Sequence, residues 1–152
     1  MIAKDLSLMD IEVKQMRYEL TIFGQPTGKG RHRWTRRGGF HTYNPQKTQD
    51  YEELVKYTFK SSYPNAIPLE DALRVEIVAY YQIPKSYSKK KKQECLYGHI
   101  QVQSKPDVDN VSKIILDSLN GYAYIDDKQV VELHVTKMWS DMPRVEVNIE
   151  EV

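Results

Sequence analysis

The sequence predicts an α+β domain: a small mixed sheet with an antiparallel C-terminal hairpin and three helices packed on it. Three observations predict it. Alternating apolar and polar residues recur near both ends and in the middle of the chain, and segments with helical spacing or helix caps lie between them. The 152 residues suffice for one core and are too few for two ordinary domains. An apolar fraction of 40% with 28% charged residues is that of a globular chain in water.

Residues 1–16 show no clean period and read as an N-terminal extension ahead of a domain over 17–152. From Arg17 to Phe23 the residues alternate, with Tyr18, Leu20 and Ile22 opposing Arg17, Glu19 and Thr21, as a strand requires. Gly38-Gly39 separates the basic stretch Arg33 to Arg37 from Phe40 to Tyr43, which predicts a hairpin or loop with a basic arm. Asn44-Pro45 reads as an N-cap with proline at the first helical position. Tyr51, Leu54, Val55, Thr58 and Phe59 then keep helical spacing, with a stop expected before Pro64. Leu73, Val75, Ile77, Ala79 and Tyr81 share one face of a strand that runs into Pro84. Ser88 caps a short helix carrying Lys89 to Lys92 and ending near Gly98. A connector over 99–106 delivers Asp107 to a helix beginning at Asn110, with Val111, Ile114, Ile115 and Leu119 as its buried stripe and Asn120-Gly121 as its stop. Val131, Leu133 and Val135 with Trp139, then Val145, Val147 and Ile149, make two closing strands, which the turn at Asp141-Met142-Pro143 predicts to be an antiparallel pair.

Composition narrows the function classes. Net charge is only +1, so any preference for a polyanion must be local. Two stretches supply it: Lys29, Arg31, Arg33, Arg36 and Arg37 with no acid among them, and Lys89 to Lys92 after Lys85. The single Cys95 excludes an internal disulfide and a multi-cysteine zinc site, and it reads as buried packing. His32, His41, His99 and His134 lack metal-ligand spacing. No stretch approaches the length of a membrane span, and Asp5, Asp10 and Glu12 stand where a signal peptide wants basic then apolar character, so a cytoplasmic setting is expected.

The chemistry-bearing feature is Lys105-Pro106-Asp107-Val108-Asp109-Asn110, followed by Lys113 and Asp117, then Asp126-Asp127. Asp109 is expected to cap the helix, with Lys113 four residues on and on the same face. Pro106 biases its surroundings toward extended geometry, so Asp107 and Asp109 can point to one side. Asp126 and Asp127 arrive after the chain turns back at Gly121, a path that can return them to the first pair. Taken singly, these residues read as a cap, an Asp117–Lys113 ion pair and a turn. Taken together they are an oxygen-only donor set with one ammonium among them, which suits Mg²⁺ and phosphoryl transfer.

These residues, Lys105-Pro106-Asp107-Val108-Asp109-Asn110-Val111 with Lys113, Asp117, Leu119, Asn120-Gly121 and Asp126-Asp127, strongly resemble the RusA family of Holliday-junction resolvases, Mg²⁺-dependent nucleases that nick four-way DNA junctions. The resemblance extends to Pro26, Gly28-Lys29-Gly30-Arg31, Arg33 and Tyr43 and to Ser88-Lys89-Lys90-Lys91, so it covers most of the chain from about residue 17. It implies a RusA-like homodimer, with Asp107, Asp109 and Asp127 as metal-binding carboxylates, Asp126 as the weaker member, and Lys113 as the required lysine. An ammonium there can hold the scissile phosphate or offset charge in the transition state.

A junction nuclease must also grip phosphates. Lys29, Arg31, Arg33, Arg36 and Arg37, with Trp34 interleaved to stack on a base, are the first candidates. Lys89, Lys90, Lys91 and Lys92 are the second, since cations in the first turn of a helix oppose its dipole unless phosphate lies near. The expected cofactor is Mg²⁺, with Mn²⁺ as a substitute and no small-molecule cofactor. The expected partners are branched DNA and a second copy of the chain, and no membrane. Two rival readings stay open: a metal nuclease acting on other branched nucleic acids, and a catalytically silent DNA-binding module.

Overall fold

The computed structural model describes residues 16–30, 33–35, 41–43 and 45–152, with the backbone alone for 33–35 and 41–43. In chain order the elements are β1 (Arg17–Phe23), β2 (Arg33–Thr35), β3 (His41–Tyr43), α1 (Gln46–Ser62), β4 (Leu73–Gln82), α2 (Lys89–Leu96), α3 (Val108–Leu119), a 3₁₀ turn (Asp127–Gln129), β5 (Val130–Ser140) and β6 (Arg144–Glu151). Three helices and a four-stranded mixed sheet make the α+β class that the patterning predicts. The extension is outside the described residues up to position 15. β2 and β3 pair antiparallel as a separate ribbon, as the reading around Gly38-Gly39 expects, although the two glycines themselves lie outside the described residues.

The sheet order is β1-β6-β4-β5, and this corrects the expected C-terminal hairpin. β6 runs antiparallel between β1 and β4, whereas β5 pairs parallel to the other edge of β4. Burial explains the arrangement. Leu73, Val75, Ile77, Ala79 and Tyr81 of β4 are fully buried, so this strand needs neighbours on both sides. β5 leaves Val131 and Leu133 exposed, which an edge position tolerates. Stepping across one strand means covering two spacings of about 4.8 Å, and the few residues between β5 and β6 reach that far at about 3.3 Å each. The β4-to-β5 connection is a parallel crossover, and it carries both α2 and α3.

Thr48, Tyr51, Val55 and Phe59 form the buried stripe of α1, which packs on α3 and β1; Leu54, expected in that stripe, faces outward. Pro45 occupies the cap position and the helix starts at Gln46, one residue later than the sequence suggests; Asn44 lies outside the described residues. Val111, Ile114, Ile115 and Leu119 of α3 are fully buried, as their spacing predicts. Ser88 caps α2 by accepting a hydrogen bond from the Lys91 amide at 3.2 Å, and Cys95 is buried. No described helix is long and apolar enough to cross a membrane.

Candidate functional site

α3 begins at Val108, not Asn110, and its cap position belongs to Asp107, not Asp109. Asp107 is extended, with φ −75° and ψ 166°, and instead of bonding a helix amide its Oδ1 accepts a hydrogen bond from Asn110 Nδ2 at 2.7 Å. Asp109 therefore sits in the first turn, where the positive end of the helix favours a carboxylate. Both carboxylates are exposed, and no cation pairs with either among the described residues. Lys113, also exposed, stands one turn beyond Asp109 on the same face.

Two buried tyrosines brace α3, Tyr81 at its start and Tyr124 near its far end; the sequence reading names Tyr81 only as a residue on one face of a strand and does not name Tyr124. Tyr81, at the end of β4, donates its hydroxyl to the carbonyl of Pro106, immediately before Asp107. Burial first, and then the charge of Asp107, push its phenol up to about 12. Lys137 of β5 lies over the Tyr81 ring at 5.0 Å and donates to the Ser104 carbonyl at 2.5 Å, so two strands of the sheet pin the connector. Tyr124 donates to the Leu116 carbonyl at 2.6 Å. Its phenol is raised by burial and then by the charges of Asp127, Asp117 and Asp126. A buried aromatic hydroxyl needs a partner, and that requirement is the signal that could have found both residues.

Asp126 and Asp127 have different roles. Asp126 Oδ1 accepts from the Lys128 amide at 2.9 Å, while its own amide donates to Gln129 Oε1 at 2.8 Å, a capping box that closes the 3₁₀ turn. Gln129 Nε2 ties the turn to the carbonyls of Leu69 and Asp71 at 2.8 and 3.0 Å. The Lys128 amide holds the Asp126 carboxyl below its usual range. Asp127 is raised, by desolvation and then by Asp126 and Asp117. A carboxyl crowded by other acids is one that a cation would relieve. Even so, no three His, Cys, Asp or Glu side chains among the described residues converge on one ligating point.

Lys29 is not turned toward solvent as the DNA-contact reading expects. Its side chain is 17% exposed, and its ammonium donates to Asp117 Oδ2 at 2.7 Å and lies 3.4 Å from Glu52 Oε1. Burial lowers its pKa most, but Asp117 and Glu52 together outweigh that and raise it. Asp117 is thus the partner of Lys29 on β1's outgoing loop, and not of Lys113. The loop threads narrowly: a Cβ on Gly28 would come within 2.8 Å of Pro106 and 3.0 Å of Asn110, and one on Gly30 within 2.8 Å of Thr48 Oγ1. The Lys29 amide donates to the Asn110 carbonyl at 3.3 Å and the Gly30 amide to Thr48 Oγ1 at 3.0 Å. Residues 26–30 are a strap binding the start of α1 to the start of α3. A groove of about 890 Å³ runs beside it.

Of the other predicted DNA contacts, Arg31, Arg36 and Arg37 lie outside the described residues, and only the backbone of Arg33 and Trp34 is described, in β2. Lys89, Lys90 and Lys91 are exposed on the first turn of α2 and Lys92 is half-buried; Lys91 lies 3.9 Å over the Tyr87 ring. The structure thus puts Asp107, Asp109 and Lys113 on the cap and first turns of α3, whereas Asp126 and Asp127 stand on a turn tied to the Leu69 and Asp71 carbonyls, with Asp117 as the helix acid that acts on Asp127.

Comparison with known proteins shows the family. Residues 24–150 match the family model described as Endodeoxyribonuclease RusA. The chain is 38% identical over 137 residues to a Bacillus subtilis (strain 168) protein described as "Uncharacterized protein YqaN", an alignment covering 88% of this chain and 96% of that protein. The chain belongs to the RusA family, endodeoxyribonucleases that resolve Holliday junctions, and is a hydrolytic nuclease.

Proposed function

We propose that the chain resolves four-way DNA junctions by Mg²⁺-dependent hydrolysis, making paired, symmetry-related nicks as a cytoplasmic homodimer. The observation that carries this reading is the end of α3, where Asp107 and Asp109 stand exposed with no cationic partner among the described residues, inside the matched family span. By its chemistry the donor set suits the ion, carboxylate oxygens from Asp107, Asp109 and Asp127, although the three do not converge on one point among the described residues. When bound, Mg²⁺ would polarise a phosphoryl oxygen and lower the pKa of water.

The chain's own groups do the rest. Asp107 and Asp109 would hold the cation at the exposed helix end, while Tyr81 and Lys137 fix the connector that leads to Asp107. Asp127 completes the acidic set from the anchored turn, and Asp126 serves that turn as its cap. Lys113 offers an ammonium, unpaired among the described residues, to the scissile phosphate as the water oxygen bonds to phosphorus and the bridging P–O bond breaks. Arg31, Arg33, Arg36, Arg37, Trp34 and Lys89 to Lys92 are the proposed contacts to the arms. Separating a four-way junction into two duplexes takes two opposed cuts, hence two active sites related by a twofold axis.

The test is incubation with an immobile four-way junction, with and without Mg²⁺, read on a sequencing gel beside flap, fork and linear duplex. Paired nicks at symmetry-related positions, dependent on Mg²⁺, are expected. Cutting of flaps or forks in preference to the junction would move the chain to another branched substrate, and binding without cleavage at any enzyme concentration would make it a silent binding module.

A further inference from the structure

The groove beside the strap is bounded by Pro26 to Gly30, the start of α1 and the Lys105-Pro106-Asp107 stretch. Three lysines line it, and they differ in kind. Lys29 is turned inward and neutralised by Asp117 and Glu52. Lys47 and Lys105 are exposed and have no carboxylate partner among the described residues. They stand on different walls, one on α1 and one on the connector, with Asp107 as the lining carboxylate. Two unneutralised ammoniums facing one open space favour an extended anion over a neutral ligand.

The rest of the lining agrees with a backbone-gripping site. Pro26, Pro45 and Pro106 with Gly28 and Gly30 offer no side-chain donors or acceptors, and the lining side chains of Thr27, Thr48 and Asn110 are hydrogen-bonded to Gln25, Gly30 and Asp107, which leaves few groups to read a base edge. Pro45 provides no side-chain cap to α1 and its carbonyl takes the Thr48 and Gln49 amides, so no more than the first two amides of the helix are left for an anion. Gly30 and Pro45 both line it, so the chain that carries Arg31, Arg33, Arg36 and Arg37 departs from this groove and comes back to it.

We propose that this groove takes the sugar–phosphate backbone of the DNA strand next to the scissile phosphate, with Lys47 and Lys105 as its phosphate contacts. The inference rests on the nuclease reading above and names the part of the substrate that reaches the site. Lys105 stands two residues from Asp107, so a strand held by both lysines is led directly to the catalytic end of α3. These lysines grip without taking part in bond breaking.

The experiment measures binding of the full chain to a fluorescent immobile four-way junction in chelating buffer over a range of salt. Lys47→Gln, Lys105→Gln and the double variant are compared with wild type. Lys60→Gln is the control, because Lys60 lies over the Tyr122 ring at the far end of α1, about 20 Å along the helix from Lys47. Each groove variant should reduce the slope of log K against log salt by roughly 0.7 to 0.9, and the double variant by the sum. Lys105→Arg should keep the wild-type slope, and all melting temperatures should be unchanged. In Mg²⁺ the double variant should show a raised KM with kcat retained. If wild type cuts the junction while the double variant keeps its salt slope, the groove assignment is overturned and the nuclease reading stands. A fall in kcat at constant KM also overturns it, by giving the lysines to the chemistry. If wild type neither binds nor cuts any junction, the nuclease reading falls and this inference with it.

Discussion

Replacing Lys29 by methionine separates a role in the fold from a role in gripping DNA. The ammonium is mostly withdrawn from solvent and bridges two carboxylates, Asp117 at 2.7 Å and Glu52 at 3.4 Å. Glu52 is 16% exposed and Asp117 31%, so removing the cation strands one largely buried and one partly buried negative charge. Breaking a buried pair from one side costs on the order of 3 to 5 kcal/mol. The water that reaches Asp117 argues for the lower end, about 3 kcal/mol. For a chain of this size each kcal/mol moves Tm by roughly 2–4 °C, so Lys29→Met should melt about 6–12 °C below wild type. Lys29→Met with Asp117→Asn should recover part of that loss, since one stranded charge is gone. The assay is a thermal melt, with junction binding against salt measured well below the transition, where the slope should match wild type. A variant that melts with wild type but loses about one unit of slope would refute the reasoning and return Lys29 to the DNA surface.

Asp109→Asn removes one charge without disturbing a cap, because Asp107 holds the cap position; cleavage in Mg²⁺ should disappear while metal-free junction binding persists, as band shift and gel together will show. Lys113→Ala should lower turnover by about 10²- to 10³-fold with little change in melting temperature. Tyr81→Phe removes the hydroxyl that holds the Pro106 carbonyl; kcat should fall and the apparent affinity for Mn²⁺ weaken, and equal loss of stability with unchanged metal affinity would make the bond merely structural. Asp127 holds its proton to higher pH in the folded chain than in the unfolded one, so its ionised form at neutral pH subtracts from stability. Asp127→Asn should therefore raise the metal-free Tm and shrink the increment that Mn²⁺ gives, in proportion to RT ln(1 + [M]/Kd).

Where a pattern depends only on local periodicity, the sequence was sufficient. The alternation of β1, β4 and β6 and the stripe of α3 each follow from one face being buried, and all four came out with the expected residues inside. Strand order is not local. Nothing in Asp141-Met142-Pro143 distinguishes a turn between neighbours from a step across β4, because three residues are long enough for either. The deciding quantity was the difference in burial between β4 and β5, which appears only when the sheet is assembled. Val131 and Leu133 look as inward-facing in the sequence as Val75 and Ile77, yet they lie at the sheet's edge and stay exposed.

The site shows the same division between local and long-range information. That Asp107, Asp109 and Lys113 stand near the start of one helix was legible because they are close in sequence, although the cap position falls on Asp107 and not on Asp109. Lys29 was misjudged for the converse reason: a lysine beside arginines and glycines looks like part of a basic arm, and its partners lie 23 and 88 residues away. Once paired, it changes the meaning of its neighbours. Gly28 and Gly30 are there because a side chain at either would collide with Pro106 or Thr48, and the strap they allow holds two helix starts together. The charge that Lys29 withdraws from the groove leaves Lys47 and Lys105 as its unpaired cations among the described residues. One internal ion pair therefore both ties the strap to α3 and sets the charge of the space beside it.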